Sequence, residues 1–279
     1  MILQKLLRVL SKNKVGHSIV YRARRLIASD KFVETELEFS QKRIIVPQSD
    51  FIGYQLYAFG QFEGHIQKAT RSLDLQGKTI IDVGANIGAF AFNVCDLAKD
   101  IYAIEANPEC CSILRKSIEN ANISNIEVIN NAVSSNSNDT VDLRVSSNTL
   151  GNSSIVYKGD PSNKTVAINT ISMDDFIFTN GITPYLIKVD IEGAEPLFLA
   201  GAEKTIERYK PIIILEFNCS IMTNLGQTVD DYKSLLKGEY NYFVADIYGK
   251  LNEISIEDIK SAMCNKTSLD IFFIPKNKI

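Results

Sequence analysis

The sequence predicts an α/β fold: a mostly parallel sheet with helices on both faces, an antiparallel last strand, and a helical extension in front. Three observations carry this. First, Thr79-Ile80-Ile81-Asp82-Val83-Gly84-Ala85-Asn86-Ile87-Gly88-Ala89-Phe90 reads as a buried strand, a glycine turn and the start of an amphipathic helix. Second, an acid, Glu105, follows Gly84 by 21 residues and closes a second apolar strand. That layout describes a nucleotide pocket at the first strand–helix crossover of an α/β sheet. Third, strand-like and helix-like segments alternate from Thr79 onward.

Along the chain, residues 2–10 and 17–28 space Ile, Leu and Val as a helix does, while 33–46 alternate as extended chain that Pro47 ends. Residues 50–74 read as helical with breaks at Gly53, Gly60 and Gly64. The first strand is expected over 80–83 and its helix over 87–97; the second strand over 101–105 leads to Asn107-Pro108-Glu109. This triplet is a helix start, with an Asn cap, Pro in the first turn and an acid near the positive end. A third strand follows at 126–129. Residues 140–171 then turn rich in Ser, Asn, Thr and Gly, with alternation at 141–145 and 165–171, and predict an inserted hairpin over about 134–170. A short helix at 173–178, a strand at 186–189, a helix at 196–209, an apolar strand at 212–217 and a helix at 229–237 complete the alternation. The late strands, 242–247 and 269–274, flank a helix at 256–263; lacking a long crossover, they suggest a hairpin-like antiparallel edge. The expected division is an extension over 1–49 and one domain over 50–279.

With 279 residues, 45% of them hydrophobic and 23% charged, the chain can bury a large core without staples. The five cysteines are odd in number, two are adjacent, and no C-x-x-C pair exists, which argues against a disulfide framework or zinc site and suits a reducing compartment. Only His17 and His65 are present, so a multi-histidine metal centre is excluded. Residues 1–31 carry eight Lys or Arg and the single acid Asp30, whereas the remaining 248 residues carry a net charge of −10. The main body is therefore a poor partner for nucleic acid. The basic head either packs as an amphipathic helix with a solvated face or touches anionic lipid or an acidic partner. No apolar run approaches the roughly 18 residues that span a membrane, and 6–10 is too short for a secretory signal. The expected location is the cytoplasm, with peripheral contact of residues 1–31 at the inner membrane face left open.

A dinucleotide fingerprint places a middle glycine against a pyrophosphate. Here that position is Asn86, and the acid Asp82 stands two residues before Gly84. A carboxylate there suits a cation better than a pyrophosphate. S-adenosylmethionine lacks phosphate and carries a sulfonium and an ammonium, so D-x-G-x-x-x-G favours it over NAD. Glu105, followed by Ala106, can accept both ribose hydroxyls, and Asn130-Asn131 offers amides at the height of an adenine edge. A second motif, Ile187-Lys188-Val189-Asp190-Ile191-Glu192-Gly193-Ala194-Glu195, gathers acids at a strand end. Asp190 would sit beside the methionine end of the cofactor or the acceptor hydroxyl, and Lys188, inside an apolar strand, needs one of the acids as partner. Glu216 closes another apolar strand. Removal of an acceptor proton calls for a general base; the candidates are Asp190, Glu192, Glu216 and His65, with a carboxylate at the Asp190/Glu192 end preferred and His65 alternatively a surface or capping residue. Asp190, Glu192, Glu216 and Asn218 leave Mg²⁺ open as an alternative. An NAD-dependent oxidoreductase or epimerase, and a binding protein without turnover, are the competing classes.

The set IDVGANIGAF, IEANPE, IKVDIEGAE and ILEFN, in this order, resembles the FkbM family of S-adenosylmethionine-dependent methyltransferases. Gly60-Gln61-Phe62-Glu63 resembles the family's G-x-[YW]-E signature, with Phe in the aromatic place. The resemblance covers roughly 50–220. It implies the seven-stranded class I methyltransferase (Rossmann-like) sheet and methylation mostly at oxygen, on hydroxyls of sugars, glycans or secondary metabolites, with S-adenosylhomocysteine as product; N-methylation of an amine or peptide is the runner-up. It further implies that Gly84, Asn86 and Gly88 line the cofactor, Glu63 lies close to it, Glu105 holds the ribose and Asp190 sits near the reacting centre.

Overall fold

In the computed structural model, the described residues are 2–10, 18–20, 22, 31–146, 150–151, 153–156, 164–232, 235, 239–265 and 268–278. Helix α1 (Ile2–Leu10) is followed by strands β1 (Phe32–Glu36) and β2 (Arg43–Pro47) and by helices α2 (Phe51–Phe59) and α3 (Gly64–Arg71). The alternating body runs β3 (Thr79–Val83), α4 (Ala89–Val94), β4 (Asp100–Ile104), α5 (Pro108–Asn120), β5 (Ile126–Ile129), β6 (Ala132–Val133), β7 (Thr140–Val145), β8 (Lys164–Ile171), α6 (Met173–Thr179), β9 (Leu186–Val189), α7 (Glu195–Ala200), α8 (Glu203–Tyr209), β10 (Ile212–Phe217) and α9 (Cys219–Leu225). It closes with β11 (Tyr240–Ala245), β12 (Leu251–Ile254), α10 (Ile256–Asn265) and β13 (Leu269–Pro275).

The main sheet has eight strands in the order β12-β11-β13-β10-β9-β3-β4-β5. From β10 to β5 every pairing is parallel, and β13 enters antiparallel between β10 and β11. Seven strands thus make the expected class I sheet; the eighth, β12, is a hairpin added at the edge beside β11. Both faces are covered, as a parallel sheet requires. The period-two alternation divides the core: Ile80, Ala103, Ile212 and Ile214 point to one side, while Ile81, Ile104, Ile213 and Leu215 point to the other.

The head is tied to this body. The Tyr54 hydroxyl donates to the Val20 carbonyl at 2.7 Å. The Arg8 guanidinium donates to Thr35 Oγ1 at 2.9 Å and to the Glu36 carbonyl. Ile45 N–H donates to Ser117 Oγ at 2.9 Å, fixing the β1–β2 hairpin on α5. The helical reading of 17–28 falls mainly outside the described residues. Among the described residues no helix is long and apolar enough to cross a membrane.

Several local expectations are corrected. Gly53 lies inside α2 rather than breaking it: a Cβ there would meet the Pro47 carbonyl oxygen at 2.0 Å, so the glycine serves close packing. The helix expected over 196–209 is two helices, split at Gly201-Ala202, where Gly201 passes against Ser134. The helix expected over 87–97 is regular only across Ala89–Val94. The helix α9 was not anticipated, and of the one expected over 229–237 a 3-10 turn at Val229–Tyr232 falls among the described residues.

Candidate active site

The site forms where β3, β4 and β9 end side by side. Asp190 N–H donates to the Val83 carbonyl at 3.0 Å, bringing the end of β9 against the glycine turn. The fit needs a glycine at 84: φ is +81°, and a Cβ would fall 1.8 Å from the Asp190 carbonyl oxygen. Asn86 also adopts the left-handed region, φ +51°, and its N–H donates to Glu105 Oε2 at 2.8 Å. Asn107 N–H donates to Glu105 Oε1 at 2.7 Å. Glu105 therefore holds two backbone turns together, one through each oxygen, and each oxygen has capacity to accept a further bond. Burial pushes this carboxyl up to about 7, against the pull of those two amides.

Glu63, Asp82, Gly84, Asn86, Glu105, Ala106, Asn131, Asp190, Glu192 and Glu216 all line one cavity, with Lys188 and the ring of Phe90. Gly88 does not line it: Gly88 starts α4 at φ +93°, and a Cβ there would strike Leu114 at 2.3 Å, so its role is packing. His65 lies on a neighbouring cleft instead. Glu195 is buried in the first turn of α7, and its Oε1 accepts from Ile191 N–H at 3.0 Å, so it shapes the loop that carries Asp190. Asn218 caps α9 through Ile221 N–H. Among the described residues, no group of three or more His, Cys, Asp or Glu side chains is arranged to hold a metal ion.

Lys188 is the electrostatic centre. It is 5% exposed, its Nζ lies 3.0 Å from Asp190 Oδ2, and it sits 5.8 Å from the Phe90 ring centroid. Burial alone would lower its pKa; Asp190, Glu63, Asp82 and Asp270 together outweigh burial and raise it. The surrounding acids are raised in turn. Burial, then Asp270, pushes Glu63 up to about 8; burial, then Asp190, pushes Glu192 up to about 8 and Glu216 up to about 11. Asp270, raised to about 6 chiefly by burial, faces Glu216 in the β10–β13 register. No motif marked Asp270; the available signal was an acid inside the apolar strand Leu269–Pro275.

Asp82 sits deepest. It is fully buried; Lys188 and the Ala91 backbone N–H favour its charged form, but neither carboxylate oxygen makes a hydrogen bond of full geometry among the described residues. Burial raises it to about 6 while Lys188 draws it back down. A buried carboxylate without full hydrogen bonding is costly, which points to a positive ligand group at this spot. The lining suits S-adenosylmethionine: Asp82 would face its cationic end, Glu105 a ribose diol, and Asn131 beside apolar Ile104, Ala132 and Leu143 the base.

The family model described as the methyltransferase FkbM domain matches residues 82–244. The chain belongs to the FkbM methyltransferase domain family. Asp82, Glu105, Asp190, Glu192 and Glu216 fall inside the FkbM match, whereas Glu63, His65 and Asp270 lie outside it. Among solved structures, the FkbM methyltransferase of Methylobacillus flagellatus KT is 16% identical, covering 93% of this chain and 59% of that one, with a TM-score of 0.49. The present chain thus spans 59% of the length of that protein. M. jannaschii TYW2, in complex with AdoMet, is 15% identical, covering 89% of this chain and 90% of that one, with a TM-score of 0.44. The comparison with curated proteins finds no match.

Proposed function

We propose that this FkbM-family chain is an S-adenosylmethionine-dependent methyltransferase acting on a hydroxyl of a sugar, glycan or secondary metabolite. The observation that carries the reading is Asp82, a fully buried carboxylate beneath the glycine turn whose oxygens make no hydrogen bond of full geometry among the described residues. The bound cofactor supplies an electrophilic methyl group on a positively charged sulfur.

The chain's own residues position and deprotonate. Glu105 accepts the ribose hydroxyls while its other lone pairs hold the turns at Asn86 and Asn107. Asp190, paired with Lys188, takes the acceptor proton at a carboxylate oxygen. Glu216, raised to about 11, keeps its own proton at neutral pH and serves as a hydrogen-bond donor rather than a base. Alignment of the two reactants dominates, since charge is lost rather than formed at the sulfur.

Calorimetry with S-adenosylhomocysteine and with NAD tests the reading: binding of the first alone is expected, and binding of NAD alone would replace it with an oxidoreductase. Transfer of label from the cofactor distinguishes an enzyme from a binding protein, and its persistence in excess chelator would dispose of Mg²⁺. A second reading, N-methylation, draws on the excess of acids over the single Lys188 in the cavity, which suits a cationic acceptor. Fragmentation of the product separates a methyl ether from a methylamine.

For the basic head we propose contact with anionic lipid at the inner membrane face. Leu6 and Val9 on α1 and Phe32 at the start of β1 are all more than half exposed, and Arg22 is exposed as well. Sedimentation with phosphatidylserine vesicles is expected to capture the intact chain and to lose a Leu6→Gln/Val9→Gln variant; no capture of the intact chain would end this reading.

A further inference from the structure

Beside the cofactor cavity lies a second cleft, between α3 and the turn that joins β11 to β12. The two share Phe62 and Glu63 and are therefore adjacent. Glu63 stands at the junction with a backbone φ of +51°, a conformation that costs a non-glycine residue energy and recurs at functional positions.

The turn is unusually well fastened. Asp246 Oδ1 accepts from Tyr248 N–H at 2.8 Å and from Lys250 N–H at 3.0 Å, and Asp246 N–H donates to the Lys250 carbonyl at 2.9 Å. Gly249, at φ +83°, presses the tip onto α3: a Cβ there would fall 2.4 Å from Lys68 Cβ. Yet the side chain this turn presents beside the cleft is barely covered, with Tyr248 79% exposed. The fastened backbone fixes where this exposed aromatic is anchored, and its two side-chain torsions cost little entropy when a ligand packs on it.

The other lining groups decide what that ligand is. Gln55, Gln61 and His65 offer neutral donors and acceptors. Burial, then Lys68, lowers the His65 pKa, so its ring is uncharged at neutral pH. Asp246 holds the turn through Oδ1, and the Lys250 N–H bond keeps it charged, so it offsets Lys68. The cleft has an aromatic face, a neutral amide rim and little net charge. A phosphate or nucleic-acid ligand would meet a single lysine, Lys68, here.

We infer that this cleft is the acceptor site and that it takes an uncharged pyranoside, stacked on Tyr248 and hydrogen-bonded by Gln55, Gln61 and His65, with the hydroxyl to be methylated passing Glu63 to reach Asp190 in the cofactor cavity. The apolar face of the sugar ring packs on the aromatic ring while its hydroxyls face the amides. This rests on the methyltransferase reading above, and it gives His65 a binding role in place of a catalytic one.

The test is saturation-transfer NMR on the full chain in the presence of S-adenosylhomocysteine. The probes are methyl β-D-glucopyranoside, methyl α-D-mannopyranoside and methyl α-L-rhamnopyranoside. At least one is expected to give signals that fall about tenfold in Tyr248→Ala, the size of one lost stacking contact. Tyr248→Phe, which keeps the ring face, is expected to retain them. Calorimetric affinity for S-adenosylhomocysteine is expected to be the same in all three proteins. Silence of every probe on the wild type would overturn the pyranoside class, and undiminished signals in Tyr248→Ala would overturn the site. Failure of the wild type to bind S-adenosylhomocysteine is read separately, and would remove the reading on which the inference stands.

Discussion

Lys188 Nζ lies 3.0 Å from Asp190 Oδ2, two residues along the same chain segment, where β9 runs out into the cavity. The lysine is the one basic side chain lining that cavity among the described residues, and its field reaches Glu63, Asp82 and Asp270 as well as Asp190. One buried cation therefore stabilises an anionic pocket that burial alone would neutralise. It also fixes Asp190 as the acid of the set that is held by an ion pair.

Replacing Lys188 with Met removes the cation and leaves its acids buried without a partner. Loss of about 3 kcal/mol of stability is expected at pH 8, the scale for breaking a buried pair. The loss is expected to shrink at pH 6, where the orphaned acids take up protons. Urea denaturation at the two pH values checks both statements, and equal losses at the two would contradict the placement of the lysine among the acids.

Asp190→Asn keeps the shape and a hydrogen-bond acceptor for Lys188 but removes the base. A fall in kcat of about 10²–10⁴-fold is expected, the range for loss of general-base assistance. Affinity for S-adenosylhomocysteine, measured by calorimetry, is expected to change far less. Wild-type turnover in this variant would move the base elsewhere, with Glu192 the next acid on the same loop.

Stability of the apo protein is expected to fall as pH rises from about 5 to about 8. Burial raises Glu63 and Glu192 to about 8, and Glu105 and Glu195 to about 7. In the unfolded chain the same groups titrate near ~4.3. Across that window the folded state binds more protons than the unfolded one, so each step up in pH favours unfolding. Lys188, raised from its ordinary value, is charged in both states there and adds no slope. Surface acids lowered by their partners, such as Asp175 beside Ser137 and Asp258 beside Ser255, act only below the ordinary carboxylate range. Thermal unfolding is expected to show a midpoint several degrees higher at pH 5.5 than at pH 8; the reverse order would mean that these carboxyls are ionised in the folded state at little cost.

The strand-end acids were legible because each follows an apolar run: Asp82 lies within one, and Glu105, Asp190 and Glu216 terminate others. Local patterning of this kind reports which end of a strand a residue occupies, and in a parallel sheet that end is where ligands bind. Asp270 escaped because β13 runs the other way, so that its first residues reach the same end of the sheet; only the pairing with Glu216 reveals this. His65 lines only the neighbouring cleft, whereas Glu63, two residues before it, lines that cleft and the cofactor cavity, a division that sequence spacing does not reveal. The split at Gly201 was equally hidden, since its cause is the carbonyl of Ser134, far away in the chain.

Asp82 gives the sharpest opposition between stability and binding. Its carboxylate is fully buried with neither oxygen making a hydrogen bond of full geometry among the described residues, and burial raises it only to about 6 because Lys188 opposes the shift. At pH 7.5 the group is therefore mainly ionised, and the apo fold carries a buried charge that Lys188 and the Ala91 N–H compensate only in part. Asp82→Asn removes that charge at almost constant volume, so the thermal midpoint of the apo protein is expected to rise at pH 7.5. The same change deletes a charge-assisted contact to the cofactor, worth roughly 1.5–3 kcal/mol. Affinity for S-adenosylmethionine is accordingly expected to fall about 10- to 100-fold in calorimetry. The two effects have opposite signs, so a merely damaged fold would not reproduce them. Unchanged affinity would show that the cationic end of the cofactor lies away from Asp82 and would leave the buried carboxylate without its ligand.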